Sequence, residues 1–374
     1  MRSVVVLVSN DLVFDQRVAK VCSWLHGNGF AVTLVGRLLP DSGPVSRPYP
    51  CRRFRLPAKR GAFFYAFLNI RFFFYLLFNR FDVVLANDLD TLPAAFLAAR
   101  LKGRHVVYDS HEYFTEAEGL TGRPFQKRVW QRIESWIFPR LQHVYTVNAS
   151  IASIYEAQYG VTVGVLRNVP ESRAPIHIRT RAELGLPENK CILILQGAFI
   201  DPDRGGREAV LAMEHLPDCH LLIVGSGRDL QAMDRIIAER GLQSRITRLP
   251  RLPYEVLREY TARADIGLSL DKPVHLNYLY SLPNKLFDYL HAGIPVLASD
   301  LPEVRKIMTR YEVGMLLEEV TPGHVAAAVR EMLESPRLAH WRSNTLRAAG
   351  ELNWQIESRT LSEIFGSLQT KINP

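Results

Sequence analysis

The sequence predicts an α/β protein made of two Rossmann-like β/α/β domains, and three observations carry that reading. Short apolar runs at 4–8, 32–35, 83–86, 105–108 and 144–147 alternate with helix-length segments, which is the βα alternation of a parallel sheet. A second series of the same kind runs through 191–196, 220–224, 266–270 and 296–298. Between the two, 168–187 collects Pro170, Pro175 and Pro187 among polar and charged residues, the composition of an interdomain linker. The predicted divisions are 1–170, 171–353 and a last segment, 354–374, containing a helix at 354–370. A chain of 374 residues with 47% hydrophobic content is ample for two cores. Open α/β sheets bind ligands at the carboxyl ends of their strands, so the site is expected in the cleft between the halves.

The first strand, SVVVLVS at 3–9, is too short an apolar run for a signal peptide and reads as a buried parallel strand. Its end, Asn10-Asp11-Leu12-Val13-Phe14-Asp15-Gln16-Arg17, has no glycine before the helix begins, so a dinucleotide fingerprint is absent and an NAD-dependent dehydrogenase is disfavoured. Asp15 and Arg17 read equally well as cleft-lining groups on the acceptor side or as a capped, charged first helical turn. Further on, LANDLDTLP at 85–93 and VVYDSHEYFTE at 106–116 set Asp88, Asp109, His111 and Glu112 just beyond two strand ends. Asp109 and Glu112 equally suit capping of the following helix.

The segment 62–81, AFFYAFLNIRFFFYLLFNRF, holds ten aromatic residues and is flanked by Arg52, Arg53, Arg55, Lys59, Arg60 and Arg80. Asn69 and Arg71 interrupt it, and a central Arg costs roughly 2.5–3.5 kcal/mol in a spanning helix, so the segment is expected to lie in a membrane surface and not to cross it. Nearby cations attract anionic lipid at about 1 kcal/mol each. Residues 123–141, with Lys127, Arg128, Trp130, Arg132 and Trp136, extend the same face. The alternative is that both are core helices of the first domain.

The second domain opens with Leu195-Gln196-Gly197-Ala198-Phe199-Ile200-Asp201-Pro202-Asp203-Arg204-Gly205-Gly206, a strand, a glycine turn and a cationic helix start. An Arg at a helix N-terminus binds diphosphate bidentately, which makes Arg204 a donor-phosphate candidate. The strand at 221–224 ends in Gly225-Ser226-Gly227, a turn that permits close backbone approach to a nucleotide but is also a common strand-to-helix connection. Leu249-Pro250-Arg251 ends the next strand.

The most informative stretch is 281–300, SLPNKLFDYLHAGIPVLASD, which sets Lys285 and Asp288 three residues apart before Gly293-Ile294-Pro295-Val296. An ammonium supplies three donors to a diphosphate, and a carboxylate accepts two sugar hydroxyls, so one helical turn carrying Pro283, Asn284, Lys285, Leu286 and Asp288 suits a nucleotide sugar. A surface helix in which Lys285 and Asp288 merely pair across one turn is the plain alternative.

These motifs resemble the retaining glycosyltransferases of the GT-B fold, family 4, and the resemblance covers essentially the whole chain. It implies two domains facing across a cleft and a last helix crossing back to the first domain. Many members carry two glutamates eight residues apart before Gly-x-Pro-Val; here Tyr280 and Asp288 stand in those places. Members usually offer an arginine after the first glycine and a lysine at the helix start; here Ala198 and Arg204 stand there, with Lys285 as the second cation. Tyr-Asp-x-His-Glu resembles the acceptor-side loop of a subset, which makes His111 the first choice for the reacting centre, a neutral imidazole able to donate and accept near pH 7. Arg251 resembles the place where the nucleobase rests.

The implied reaction moves a sugar from a nucleotide diphosphate sugar, UDP- or GDP-linked, to a hydroxyl acceptor with retention, needing neither metal nor cofactor. No Asp-x-Asp motif stands in a setting that suggests a divalent-ion site. His111, Arg204 and Lys285 are the catalytic candidates; Gly225, Gly227, Arg251, Pro283, Asn284, Leu286 and Asp288 are donor-binding; Asp15, Arg17, Asp88 and Glu112 are acceptor-side. A 2-epimerase acting on nucleotide sugars and a non-catalytic sugar-nucleotide sensor are the alternatives. A lipid-linked saccharide or envelope polysaccharide precursor is the expected acceptor, met on the cytoplasmic face of the membrane. Four scattered cysteines suit a reducing cytoplasm, and the net charge of +8 comes without finger spacing, RNP-like strand or basic tail, so no nucleic-acid partner is expected. No heptads mark an oligomer.

Overall fold

The computed structural model describes residues 2–13, 15–172 and 179–370, so Phe14 and the linker's Pro175 lie outside the described residues. The chain divides into two compact units, Met1–Asn168 with Ser358–Pro374, and Val169–Glu357.

In the first unit β1 (Ser3–Asp11), β2 (Ala31–Arg37), β3 (Cys51–Phe54), β4 (Val83–Asn87), β5 (His105–Ser110), β6 (His143–Thr146) and β7 (Val163–Val165) pair in parallel in the order β3-β2-β1-β4-β5-β6-β7. Val4 to Val8 and Val83 to Ala86 are buried, as apolar runs in a sheet covered on both faces must be. The two edge strands, β3 and β7, are the ones the apolar runs do not announce. An edge strand needs no continuous apolar run, and the β3 sequence CRRF turns Arg53 toward Asp11 at 3.5 Å. The strand order reverses between β1 and β4, so the ends of β1, β4 and β5 open onto one crevice of this unit.

The aromatic segment forms the helix Gly61–Phe78, and one stripe of it, Phe64, Leu68, Phe72 and Leu76, is core. Asn69 faces inward: its amide donates to Asp90 O at 2.8 Å and its oxygen accepts from Ala94 N at 3.0 Å. Lys102 Nζ closes the far end on the carbonyls of Leu76, Leu77 and Asn79. The guanidinium of Arg71 lies 4.4 Å over the Phe54 ring. A second stripe, Phe63, Phe67, Ile70, Phe74 and Phe78, is exposed, reaching 76% at Phe63 and 80% at Phe78. The helix is therefore half core and half bare, and by length and composition alone it is long and apolar enough to cross a membrane. The segment 123–141 forms the helix Pro124–Ile137 and a turn, Phe138–Arg140. It buries Trp130, Glu134 and Ile137 and leaves Phe125, Val129 and Trp136 exposed beside Arg128 and Arg132. The rings of Trp136 and Phe96 meet at 5.5 Å, which joins it to the helix Leu92–Lys102, whose Leu97 and Leu101 are also exposed.

In the second unit β8 (Cys191–Gly197), β9 (Cys219–Gly225), β10 (Ile246–Leu249), β11 (Ile266–Ser269), β12 (Val296–Ser299) and β13 (Gly314–Leu317) form a parallel sheet in the order β10-β9-β8-β11-β12-β13. Two apolar clusters cover its faces, one with Leu193, Ile223 and Met233 and one with Ile194, Leu286 and Tyr289. The helix Asn284–Ala292 lies close on β11: a Cβ at Gly267 would fall 2.4 Å from the Tyr289 ring. The Tyr289 hydroxyl donates to Leu268 O at 3.0 Å and to Ile194 O at 3.2 Å, which fixes the helix along the sheet.

The last segment is not one helix. Trp354–Glu357 is a single turn in the second unit, and Arg359–Thr370 belongs to the first, with the change of unit at Ser358. There Leu361, Phe365 and Leu368 are buried, Phe365 meets Phe30 at 5.6 Å and Trp24 at 6.3 Å, and Thr360 Oγ1 donates to Val165 O at 2.8 Å.

Candidate functional site

In the second unit the candidates gather at the carboxyl ends of β8 and β11. Asp271, two residues beyond β11, is fully buried, and its Oδ1 accepts from Arg204 Nη1 at 3.0 Å and from Lys285 Nζ at 3.3 Å. Arg204 ends the short turn Pro202–Arg204, and its guanidinium lies 4.2 Å over the Tyr278 ring. The helix that follows, Gly206–Ala212, has only seven residues, so side-chain charge and not a long helix end dominates here. Burial lowers the Lys285 pKa and Arg204 lowers it further, while Asp271 holds it up. The pairing of Lys285 with Asp288 across one turn does not form. Lys285 turns to Asp271, and Asp288 accepts from Gln196 Nε2 at 3.0 Å and Tyr254 Oη at 3.0 Å. A carboxylate so engaged has less capacity for sugar hydroxyls than the sequence suggested. Thr261 donates to Gln196 Oε1 at 2.8 Å, orienting the amide.

Leu286 is corrected in its side chain, which is wholly buried in the apolar core and offers a donor no surface. Asn284 and Arg251 are exposed, and Pro283 is half-buried ahead of the helix Asn284–Ala292. Gly225 and Gly227, at φ 150° and 154°, serve the packing of two loops. A Cβ on Gly225 would sit 1.9 Å from Gly197 O, and one on Gly227 2.1 Å from Ile200 O. Ile200 N donates to Ser226 O at 2.6 Å and Asp229 N to Ile200 O at 3.2 Å, so the glycines admit the β8 loop before they admit any ligand.

In the first unit the crevice is built on a buried ion pair. Arg17 is 5% exposed and grips Asp109 with Nη2 at 2.7 Å and Nε at 3.0 Å, while Nη1 donates to Leu166 O at 2.8 Å. Asp109 is the penultimate residue of β5, opposite Asn87 on β4, and is spoken for by Arg17, so it caps no helix. Asp15 is the N-cap of Gln16–Gly27, accepting from Val18 N at 3.0 Å. Asp15 thus takes the capping place that one of its two readings gave it, while Arg17 is held by the buried pair with Asp109 and not by the charge of a helical turn.

His111 has both ring nitrogens engaged, Nε2 at 3.2 Å from Asp109 Oδ2 and Nδ1 at 3.3 Å from Asp88 Oδ2. Burial disfavours its charge, yet Asp88 and Asp109 outweigh burial and raise its pKa to about 9. Asp109 is correspondingly lowered to about 2, because Arg17 and His111 together overcome its desolvation. The neutral, donating and accepting imidazole expected from the sequence is therefore an imidazolium at pH 7. Asp88 sits at φ 60°, a left-handed conformation that Asp tolerates, and its Oδ1 accepts from His111 N at 2.9 Å while its own N–H donates to Asp109 O at 2.9 Å. Asp88-Leu89-Asp90 is an Asp-x-Asp sequence, but Asp90 is buried, and desolvation and Asp88 raise its pKa to about 7. Glu112 is half-buried at the same end, its carbonyl accepting from Ser110 Oγ at 2.8 Å.

Sequence reasoning missed Asp271, Gln196, Tyr254 and Tyr278. Asp271 left one faint trace, an acid closing an apolar run, but its partners stand 67 and 14 residues away.

Two family models divide the chain. "Glycosyl transferase 4-like domain" matches residues 15–170 and "Glycosyl transferases group 1" matches residues 178–348. The D-inositol 3-phosphate glycosyltransferase of Thermobispora bispora is 26% identical over an aligned length of 219 residues, covering 55% of this chain and 48% of that relative's length. Among solved structures, a sucrose-phosphate synthase from Thermosynechococcus elongatus superposes with a TM-score of 0.78 at 16% identity, over 99% of this chain and 100% of that one. Anabaena HepE in complex with UDP gives 0.74 at 15% identity, over 98% and 100%. At such identities the likeness is one of fold, two parallel-sheet Rossmann-like domains of the GT-B kind.

Proposed function

Because the chain belongs to the group 1, GT4-like glycosyltransferases, we propose that it transfers a sugar from a nucleoside diphosphate donor to a hydroxyl acceptor with retention of anomeric configuration. The observation that carries the reading is the pair of cations, Arg204 and Lys285, brought onto one buried carboxylate at the end of β11. Strand ends in open α/β sheets are where nucleotides are held, and two cations there suit a departing diphosphate. In this proposal they stabilise the leaving group without help from a metal. HepE, which shares the fold, was solved with UDP and with UDP-glucose, which favours UDP over GDP as the nucleotide to try first.

The acceptor hydroxyl has to lose a proton. His111 is the obvious base only if neutral, and between Asp88 and Asp109 it already carries its proton. We therefore assign the proton to the departing phosphate, in front-face attack, with no covalent sugar adduct on the protein. The acceptor is proposed to be a lipid-linked saccharide or envelope polysaccharide precursor, met at the cytoplasmic face of the membrane. The bare stripe on Gly61–Phe78 and the arginines of Pro124–Ile137 support that part.

The test is calorimetric titration of the chain with UDP, GDP, ADP and CMP. One diphosphate is expected to bind selectively, and Arg204→Ala or Lys285→Ala should each weaken it at least about tenfold, the cost of one charge-assisted contact. Affinity indifferent to both substitutions would return the cations to a structural role.

A further inference from the structure

We propose that Asp271 is a positioning residue: it holds Arg204 and Lys285 side by side and keeps Lys285 cationic, so that the diphosphate site is preformed before the donor arrives. This rests on the reading of Arg204 and Lys285 as the diphosphate-binding pair. Three observations carry it. A single oxygen, Oδ1, accepts from both cations, at 3.0 and 3.3 Å, so the two charged groups are gathered at one point although they belong to separate elements, the turn Pro202–Arg204 and the helix Asn284–Ala292. The carboxylate is fully buried, and its second oxygen, Oδ2, has no hydrogen-bond partner among the described residues. A buried carboxylate with half its capacity unused is a poor device for stability alone. Finally, Asp271 is one acid against two cations, and Asp201, which also acts on Arg204, is itself paired with Arg228 at 3.0 Å, so the cluster keeps a net positive charge that an arriving anion can neutralise.

The surroundings make the arrangement sensitive to pH. Lys285 is nearly enclosed; burial and Arg204 push its proton off, and Asp271 alone among the groups acting on it holds the proton on. Asp288, one turn along the same helix, is engaged by Gln196 and Tyr254, and Tyr278 lies under Arg204, not under Lys285. Neutralising Asp271 should therefore cost donor affinity chiefly at alkaline pH, where Lys285 then loses its charge. A purely structural residue would cost affinity equally at every pH.

The experiment is titration of the full-length chain with UDP at about pH 6.5 and about pH 9.5, comparing the native chain, Asp271→Asn, and Asp271→Asn combined with Lys285→Arg. Asp271→Asn is expected to lose at least about tenfold more affinity at the higher pH than at the lower, equivalent to moving the lysine by one pH unit. The permanently charged arginine should flatten that dependence. An equal loss at both pH values, or none, overturns the proposal. If Asp271→Asn does not fold, the native chain and Lys285→Arg decide: with Asp271 holding the proton on Lys285, native affinity should fall no more between the two pH values than that of Lys285→Arg, and a steeper native fall refutes the role. Failure of the underlying reading looks different, since the Arg204→Ala and Lys285→Ala chains would then bind the nucleotide as tightly as the native chain.

Discussion

His111 stands between two carboxylates, and its charge is the residue-scale fact with the widest reach. Its folded-state pKa, about 9, lies above its ordinary 6.5, so the stability it contributes is full below about pH 6.5 and is lost as pH rises through about 9. The difference corresponds to something on the order of 3 kcal/mol. His111→Gln should therefore lower the melting temperature most near pH 6, with the gap to the native chain narrowing toward pH 10. A gap constant with pH would contradict the imidazolium. Here the sequence was legible only in part. That acids and imidazole cluster beyond β4 and β5 follows from strand ends; that Arg17 crosses 92 residues to seize Asp109 does not, since no local pattern records a partner so distant. The same holds for Asp288, whose carboxylate is taken by a glutamine 92 residues away, and for Leu286, whose side chain the motif placed beside the ligand and the fold places in the core.

At the scale of the element, the helix Gly61–Phe78 shows why composition misleads. Ten aromatics in 62–81 suggest a uniform apolar rod, yet the period of the buried positions, 64, 68, 72 and 76, leaves a separate stripe at 63, 67, 70, 74 and 78. Asn69, read as an interruption, is the polar anchor of the buried side. A contiguous bare aromatic stripe flanked by arginines matches an anionic bilayer surface, where rings sit at the headgroup level. The expected outcome is that the chain floats with vesicles containing phosphatidylglycerol and far less with phosphatidylcholine alone. Phe67→Ser with Phe74→Ser should abolish flotation without lowering the melting temperature, because neither side chain is core. Flotation unaffected by the pair would rule out this stripe as the contact.

For the whole molecule, two βα series and a proline-containing break were enough to read two parallel sheets, because apolar runs buried on both faces are the strongest signal a strand can leave. Edge strands leave less, and so β3 and β7 were invisible. The end of the chain was readable as helix but not as two helices split at Ser358, since the apolar period continues across the split and only packing separates them. The helix Arg359–Thr370 supplies the first unit with Leu361, Phe365 and Leu368. Phe365→Ala, opening a hole against Trp24 and Phe30, is expected to destabilise that unit by about 3–5 kcal/mol. Chemical denaturation followed by the fluorescence of Trp24 and Trp130 should report it. An unchanged midpoint would mean that the helix is dispensable to the core.

That helix also orders events on the ribosome. The strands of the first unit are made before those of the second, but its closing helix, Arg359–Thr370, is made only after the whole of Val169–Glu357, which is contiguous in sequence. A nascent chain that emerges amino-terminal end first can thus complete its second sheet and core while the first still waits for Leu361, Phe365 and Leu368. Until that helix has left the ribosome, the apolar surface those three side chains will cover is left open to whatever chaperone attends the exit tunnel.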